Sequence, residues 1–161
     1  MTIAFLHLSY RLEPDGQTQL RLPPRARFAR FDPFRHARPA RALLNTAYRE
    51  GGGLVEDFEI WWPRLEADAE YDPELCFVVI DEADNSLIGF AQCWTSAFIK
   101  DIAVASSWRQ SGVGTALMQR IFKTFEARGE SRVDLKVETG NPNGARAFYT
   151  KLGMVPAQSS R

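Results

Sequence analysis

Cysteine is nearly absent from this 161-residue chain, with Cys76 and Cys93 the whole complement. Two cysteines make no disulfide framework. Both fall in strand-like runs, where they read as small buried hydrophobes. Histidine is equally scarce: His7 and His36 stand far apart and join no cysteine or carboxylate cluster, so no metal site is expected. Charge of one sign is missing too, since twenty basic residues balance twenty acidic ones. That removes the electrostatic case for nucleic acid or an anionic membrane. The densest apolar runs, such as "CFVVI", are too short to cross a bilayer. The first residues carry no basic n-region and no small-residue cleavage site. A signal peptide is therefore not expected, and the expected setting is cytoplasmic.

What remains is an ordinary globular composition, 45% apolar and 25% charged, in a length that suits one domain over 1–161. Residues 3–12 and 17–22 partly alternate around Pro14-Asp15-Gly16 and predict a hairpin. Pro23-Pro24 interrupts the ladder, which sets 1–24 apart as an N-terminal extension. "ARFARF" (26–31) reads as a further strand. Asp32 as N-cap and Pro33 at the first helical position predict a helix to about Tyr48, kinked or split at Pro39. Residues 55–69 predict a second helix with Pro63 inside it. Strands are expected over 75–81, 87–97, 98–105 and 133–138, and helices over 114–128 and 145–152. Strand–helix alternation in the second half implies a parallel crossover. The expected class is α/β (α+β), a mixed sheet flanked by helices.

The most specific stretch is "SWRQSGVGTALMQRIF" (107–122). Gly112 and Gly114 follow a strand and open a helix, with Arg109 three residues before the first. Glycine permits positive φ and close approach. A helix N-terminus adds free N–H groups and a partial positive charge, so the turn reads as an anion site, most naturally for phosphate. The nucleoside-triphosphate loop fails for want of G-K-[ST], and the dinucleotide fingerprint fails because Leu117 stands at its third glycine. R-x-x-G-x-G is what fits.

"DIAVASSWRQSGVGTALM" (101–118) resembles the pyrophosphate-binding motif of GCN5-related N-acetyltransferases, and "NPNGARAFYTKLGM" (141–154) resembles the segment that follows it in that family. The resemblance covers 26–155, most strongly 99–154, which would be the core of the domain. It implies the acyl-CoA N-acyltransferase fold with acetyl-CoA as co-substrate. Amides of Gln110, Ser111, Gly112, Val113, Gly114 and Thr115 would hold the pyrophosphate beside Arg109. Ile102, Ala103 and Val104 would lend backbone groups to pantetheine and thioester. Either Asn141 or Asn143 would meet the cofactor, with Asn143 preferred, because Pro142 occupies the family's asparagine position.

Acetylating an amine requires a proton acceptor, oxyanion donors and a proton for the leaving thiolate. Tyr149 matches the family's acid. Asp101 is the candidate base or substrate anchor, set against a plain exposed residue paired with Lys100; Glu138 is the alternative. "REGGGLVEDFEIWW" (49–62) would shape the acceptor side, Gly51–Gly53 permitting movement and Glu56, Asp57 and Glu59 favouring a cationic amine. The simpler reading is a loop and a solvated helix start. Only seven residues follow "LGM", so the usual last strands are short. The exposed edge this implies would be covered by the N-terminal hairpin or by a second subunit, which makes a homodimer the expectation. The resemblance thus implies an N-acetyltransferase acting on a small-molecule amine or peptide by direct transfer; the rival is a non-catalytic acyl-CoA sensor or interaction module.

Overall fold

The computed structural model describes residues 4–13, 21–51, 53–140 and 144–157. Its elements in chain order are β1 (Phe5–Arg11), β2 (Ala26–Arg30), α1 (Pro33–Gly51), α2 (Phe58–Glu66), β3 (Cys76–Asp81), β4 (Leu87–Trp94), β5 (Phe98–Val104), α3 (Val113–Ala127), β6 (Arg132–Glu138), α4 (Ala145–Lys151) and β7 (Val155–Pro156). Among the described residues the strands form one seven-stranded sheet, in the order β2-β3-β4-β5-β6-β1-β7. Neighbours are antiparallel except β5 and β6, which run parallel. The helix α3 is the crossover between them, as a parallel pair requires. The expected mixed sheet flanked by helices is what forms.

Each face of the sheet carries its own core. On one, α3 turns Leu117, Ile121 and Phe125 inward at helical spacing onto Val79, Ala91 and Ile99. On the other, α1 and α2 set Ala40, Leu44 and Trp61 against Val78, Phe90 and Ala103. A strand covered on both faces needs no polar alternation, and every residue of β3 is buried. Gly89 on β4 lets α3 come close: a Cβ there would stand 3.1 Å from Val113 and 3.2 Å from Leu117.

Asp32 caps α1 as expected. Its Oδ1 accepts from the Phe34 N–H at 3.0 Å, while its own N–H donates to His36 Nδ1 at 2.9 Å. Pro39 does not split the helix. It lies on the exposed side, where water serves the carbonyl it cannot bond. The second helix is shorter than expected, starting at Phe58. The expected strand over 87–97 ends at Trp94, because Ala97, at φ +64°, closes a tight turn by donating to the Trp94 carbonyl.

The expected N-terminal hairpin lies largely outside the described residues. β1 does not pair with residues 21–22; the expected turn at 14–16 lies outside the described residues. Instead β1 runs antiparallel to β6 over its full length, from Phe5↔Glu138 to Arg11↔Arg132, and to β7 at Leu8 and Ser9. The alternating side chains that suggested a hairpin are matched by β6 because its own alternation, "RVDLKVE", buries Val133, Leu135 and Val137. The N-terminal segment thus covers β6 with β1 and pairs the short C-terminal β7 on its other side, which is one of the two covers expected for the sheet edge. Residues 5–11 are an inner strand of the sheet. No helix among the described residues is long and apolar enough to cross a membrane.

Leu8 is 1% exposed and ties β1 to the core. Leu8→Ala is expected to cost about 2–5 kcal/mol, read from the urea midpoint at unchanged slope. A cost near zero would mean that β1 is a detachable extension.

Candidate active site

β5 and β6 share only the pairs Phe98↔Asp134 and Ile99↔Leu135 among the described residues, yet β5 continues to Val104 and β6 to Glu138. The parallel ladder stops and a gap opens between them. Just there, β5 carries one extra residue against β4: Gln92 pairs with Asp101, but Cys93 pairs with Ile99. This bulge at Lys100 resets the alternation of the strand. Ile99 packs into the α3-side core, whereas Asp101 faces α1.

The bulge also sorts the backbone. The Ala105 N–H donates to the Ile88 carbonyl at 2.8 Å, and alternate residues of a strand face opposite neighbours. Asp101 and Ala103 therefore turn their peptide groups to β4. Ile102 and Val104 turn theirs to the gap. Of the three residues expected to offer backbone groups, Ala103 is the one committed to the sheet.

After β5 the chain makes a tight 3-10 turn at Ser106–Trp108 and then enters α3. Gln110 and Gly112 take φ of +60° and +96°. Ser111 Oγ donates to the Trp108 carbonyl between them. The Ala116 N–H is the first of α3 to find a carbonyl, that of Gly112 at 2.9 Å. The N–H groups of Gly112, Val113, Gly114 and Thr115 precede it and point out of the helix end. The two glycines serve different ends. A Cβ on Gly112 would meet nothing within 4 Å, so that position needs glycine for its backbone and leaves open space above it. A Cβ on Gly114 would meet the Phe148 ring at 3.3 Å and Val104 at 3.7 Å, so that glycine brings β5, α3 and α4 together.

Asp101 is only 8% exposed. It is neither a solvated strand residue nor a partner of Lys100. Its Oδ1 accepts a hydrogen bond from the Tyr48 hydroxyl. Burial first, and then the Asp101 charge, raise the Tyr48 phenol well above its ordinary pKa, so Tyr48 stays protonated and donates. Gly53, at φ +127°, presses on the same ring; a Cβ there would fall 2.6 Å from it. That contact by itself requires glycine here. Arg41, buried in α1, lies 5.7 Å from the Tyr48 ring and donates to Asn45 Oδ1 at 2.9 Å and to the Leu54 carbonyl at 3.0 Å. Glu56 is held by Arg64 at 2.6 Å and Arg41 at 3.6 Å, and Glu59 by Arg38 at 3.0 Å. Glu56 and Glu59 are thus matched by arginines, whereas Asp101 is met by a phenol.

On the opposite face, Tyr149 of α4 is buried in the α3-side core, and burial pushes its phenol up to about 12. Tyr149 and Tyr48 thus lie on opposite faces of the sheet, whose β5–β6 ladder is interrupted between Ile99 and Val104. Glu138 ends β6 opposite Phe5. Asn141 and Asn143 lie outside the described residues. Neither cysteine offers a thiolate, since burial raises Cys76 to about 12 and Cys93 well above its usual value. Residues 37–154 match the acetyltransferase (GNAT) family.

The chain belongs to the GNAT family. It is 31% identical over 113 residues to mycothiol acetyltransferase of Beutenbergia cavernae, covering 66% of this chain and 36% of that protein. Its fold matches a GCN5-related N-acetyltransferase from Sphaerobacter thermophilus with a TM-score of 0.79 at 22% identity, over 95% of this chain and 48% of that one. It also matches the NatC complex bound to Gag peptide and CoA, with a TM-score of 0.63 at 16% identity over 83% of this chain and 86% of that one. The chain thus spans about a third of the mycothiol enzyme's length and about half of the Sphaerobacter chain.

Within this GNAT chain, sequence reading missed Tyr48 and Glu50. Both lie in the last turns of α1, where tyrosine and glutamate carry no motif. Glu50 Oε2 holds Arg109 Nη2 at 3.1 Å, so the cation expected to meet phosphate is paired with a carboxylate. Glu50→Gln frees it, and acetyl-CoA affinity by calorimetry is expected to rise about two- to fivefold at low salt, the scale of one exposed ion pair. The gain should vanish when Arg109 is also replaced by Gln. Unchanged affinity in Glu50→Gln would show that Arg109 does not meet the pyrophosphate.

Proposed function

We propose that this chain is an acetyl-CoA-dependent N-acetyltransferase that moves the acetyl group directly to a primary amine of a small molecule or peptide. The observation that carries the reading is the junction of three features. Outward N–H groups at the start of α3 stand beside the open peptide edge of β5, and that strand also bears a buried carboxylate. The family supplies the reaction class. The helix end suits pyrophosphate because both its N–H groups and its partial charge favour an anion, and Arg109 adds a charged donor once released from Glu50. The gap-facing groups of Ile102 and Val104 suit an amide-bearing chain laid along β5.

The chemistry follows from charge and protonation. An alkyl ammonium, with a pKa near ~10.4, loses a proton to the Asp101 carboxylate, directly or through water. The freed amine attacks the thioester carbonyl. A gap-facing N–H of Ile102 or Val104 receives the developing oxyanion. The departing thiolate takes a proton from Tyr149, whose phenol is protonated throughout the working range, and the second proton that the acylated nitrogen sheds as the amide forms passes through water to restore that phenol. Tyr48 holds Asp101 in place without competing for the proton, because it is the donor in that hydrogen bond.

Replacing Asp101 with Asn, or Tyr149 with Phe, is expected to lower kcat about 10²-fold or more while acetyl-CoA binding, by calorimetry, is retained. Full turnover in either variant would remove that residue from the chemistry. With its phenol near 12, Tyr149 contributes no alkaline limb to the pH–rate profile below that value. A limb near pH 9 that disappears in Tyr149→Phe would contradict this assignment.

A further inference from the structure

Gln92 is the polar side chain whose surroundings leave it incomplete. It sits in the middle of β4, 1% exposed, between Cys76 of β3 and Asp101 of β5 in register. Facing residues of neighbouring strands share a side of the sheet, with Cβ atoms about 4.5–5.5 Å apart. The Gln92 amide therefore stands beside the Asp101 carboxylate on the face that α1 covers. Its Nε2 has no hydrogen-bond partner among the described residues. Asp101 is met by the Tyr48 hydroxyl. Cys76, on the other side, directs its thiol to the Asp72 carbonyl at 4.0 Å and is a weak acceptor at best. A buried amide N–H with no acceptor carries the desolvation cost of a lost hydrogen bond. Natural chains keep such groups where a ligand or an ordered water completes them.

The two neighbours are complementary in kind. A carboxylate takes an ammonium or amine N–H, and an amide N–H takes an oxygen. A molecule satisfying both presents a nitrogen and an oxygen at the spacing of adjacent side-chain ends. We propose that Gln92 is an acceptor-binding residue, its amide donating to an oxygen on the carbon next to the one that bears the reacting amine. The acceptor is then a 2-amino alcohol or an α-amino amide rather than a bare alkylamine. This rests on the acetyltransferase reading and narrows it. Gln92 is closed off and Asp101 nearly so, so the acceptor reaches them as the end of α1 around Tyr48 and Gly53 yields.

The test uses the full chain, acetyl-CoA and two amines of matched size, 2-aminoethanol and propylamine, compared at equal free-base concentration. Thiol release is expected to give 2-aminoethanol a kcat/KM about tenfold or more above propylamine. Gln92→Met, which keeps the shape and removes the donor, should bring that ratio close to one; its acetyl-CoA affinity reports that it has folded. An unchanged ratio in Gln92→Met means that the amide holds a structural water only, and overturns the proposal. A second measurement needs neither turnover nor the variant. The side-chain amide resonances of Gln92 in 15N-labelled wild-type protein should shift with 2-aminoethanol and stay put with propylamine. Shifts with neither amine, or the same shift with both, overturn it. Acetyl-CoA binding with no thiol release from any amine defeats the acetyltransferase reading, while the amide resonances still decide Gln92.

Discussion

β5 and β6 part after two register pairs while each keeps a partner on its other side, β4 for β5 and β1 for β6. That arrangement holds the gap open. A strand released by its neighbour ordinarily drifts or finds another edge, but here both are held from outside by antiparallel ladders. The gap exposes the peptide groups of Ile102 and Val104 and gives the two faces of the sheet a common opening. Tyr149 approaches it from the α3 side and the Tyr48–Asp101 pair from the α1 side.

The bulge at Lys100 is the second constraint. Without the extra residue, Asp101 would lie on the same face as Ile99, in the apolar core under α3, where a carboxylate would have to shed its charge or be paired at a large desolvation cost. With it, Asp101 reaches Tyr48 at the end of α1. The same helical end carries Glu50 to Arg109. One short segment thus touches both the carboxylate that would handle the amine and the cation that would handle the phosphate. Changes there reach both ends of the site.

Most of the fold and the glycine turn that opens α3 were legible in the chain. The alternation of "RVDLKVE", the apolar run of β3 and the stripe on α3 are local periodicities, and each became the element it implied. The turn after Arg109 was legible because positive φ and a helix start leave a compositional mark. The surroundings of Asp101 were not. Glu56 and Glu59 look like a cation-binding rim until arginines from α1 and from further along α2 are seen to hold them. Tyr48 looks like the last residue of an amphipathic helix.

By itself, the sequence determined the element order, the glycine turn and the membership in a family whose motifs are contiguous runs. Tertiary structure alone decided which strand flanks β6, which face Asp101 turns to, and that Gln92 stands unpartnered beside it. The physical reason is that the first set depends on contacts within a few residues. The second depends on register between strands far apart in the chain, where one inserted residue reverses every side chain after it.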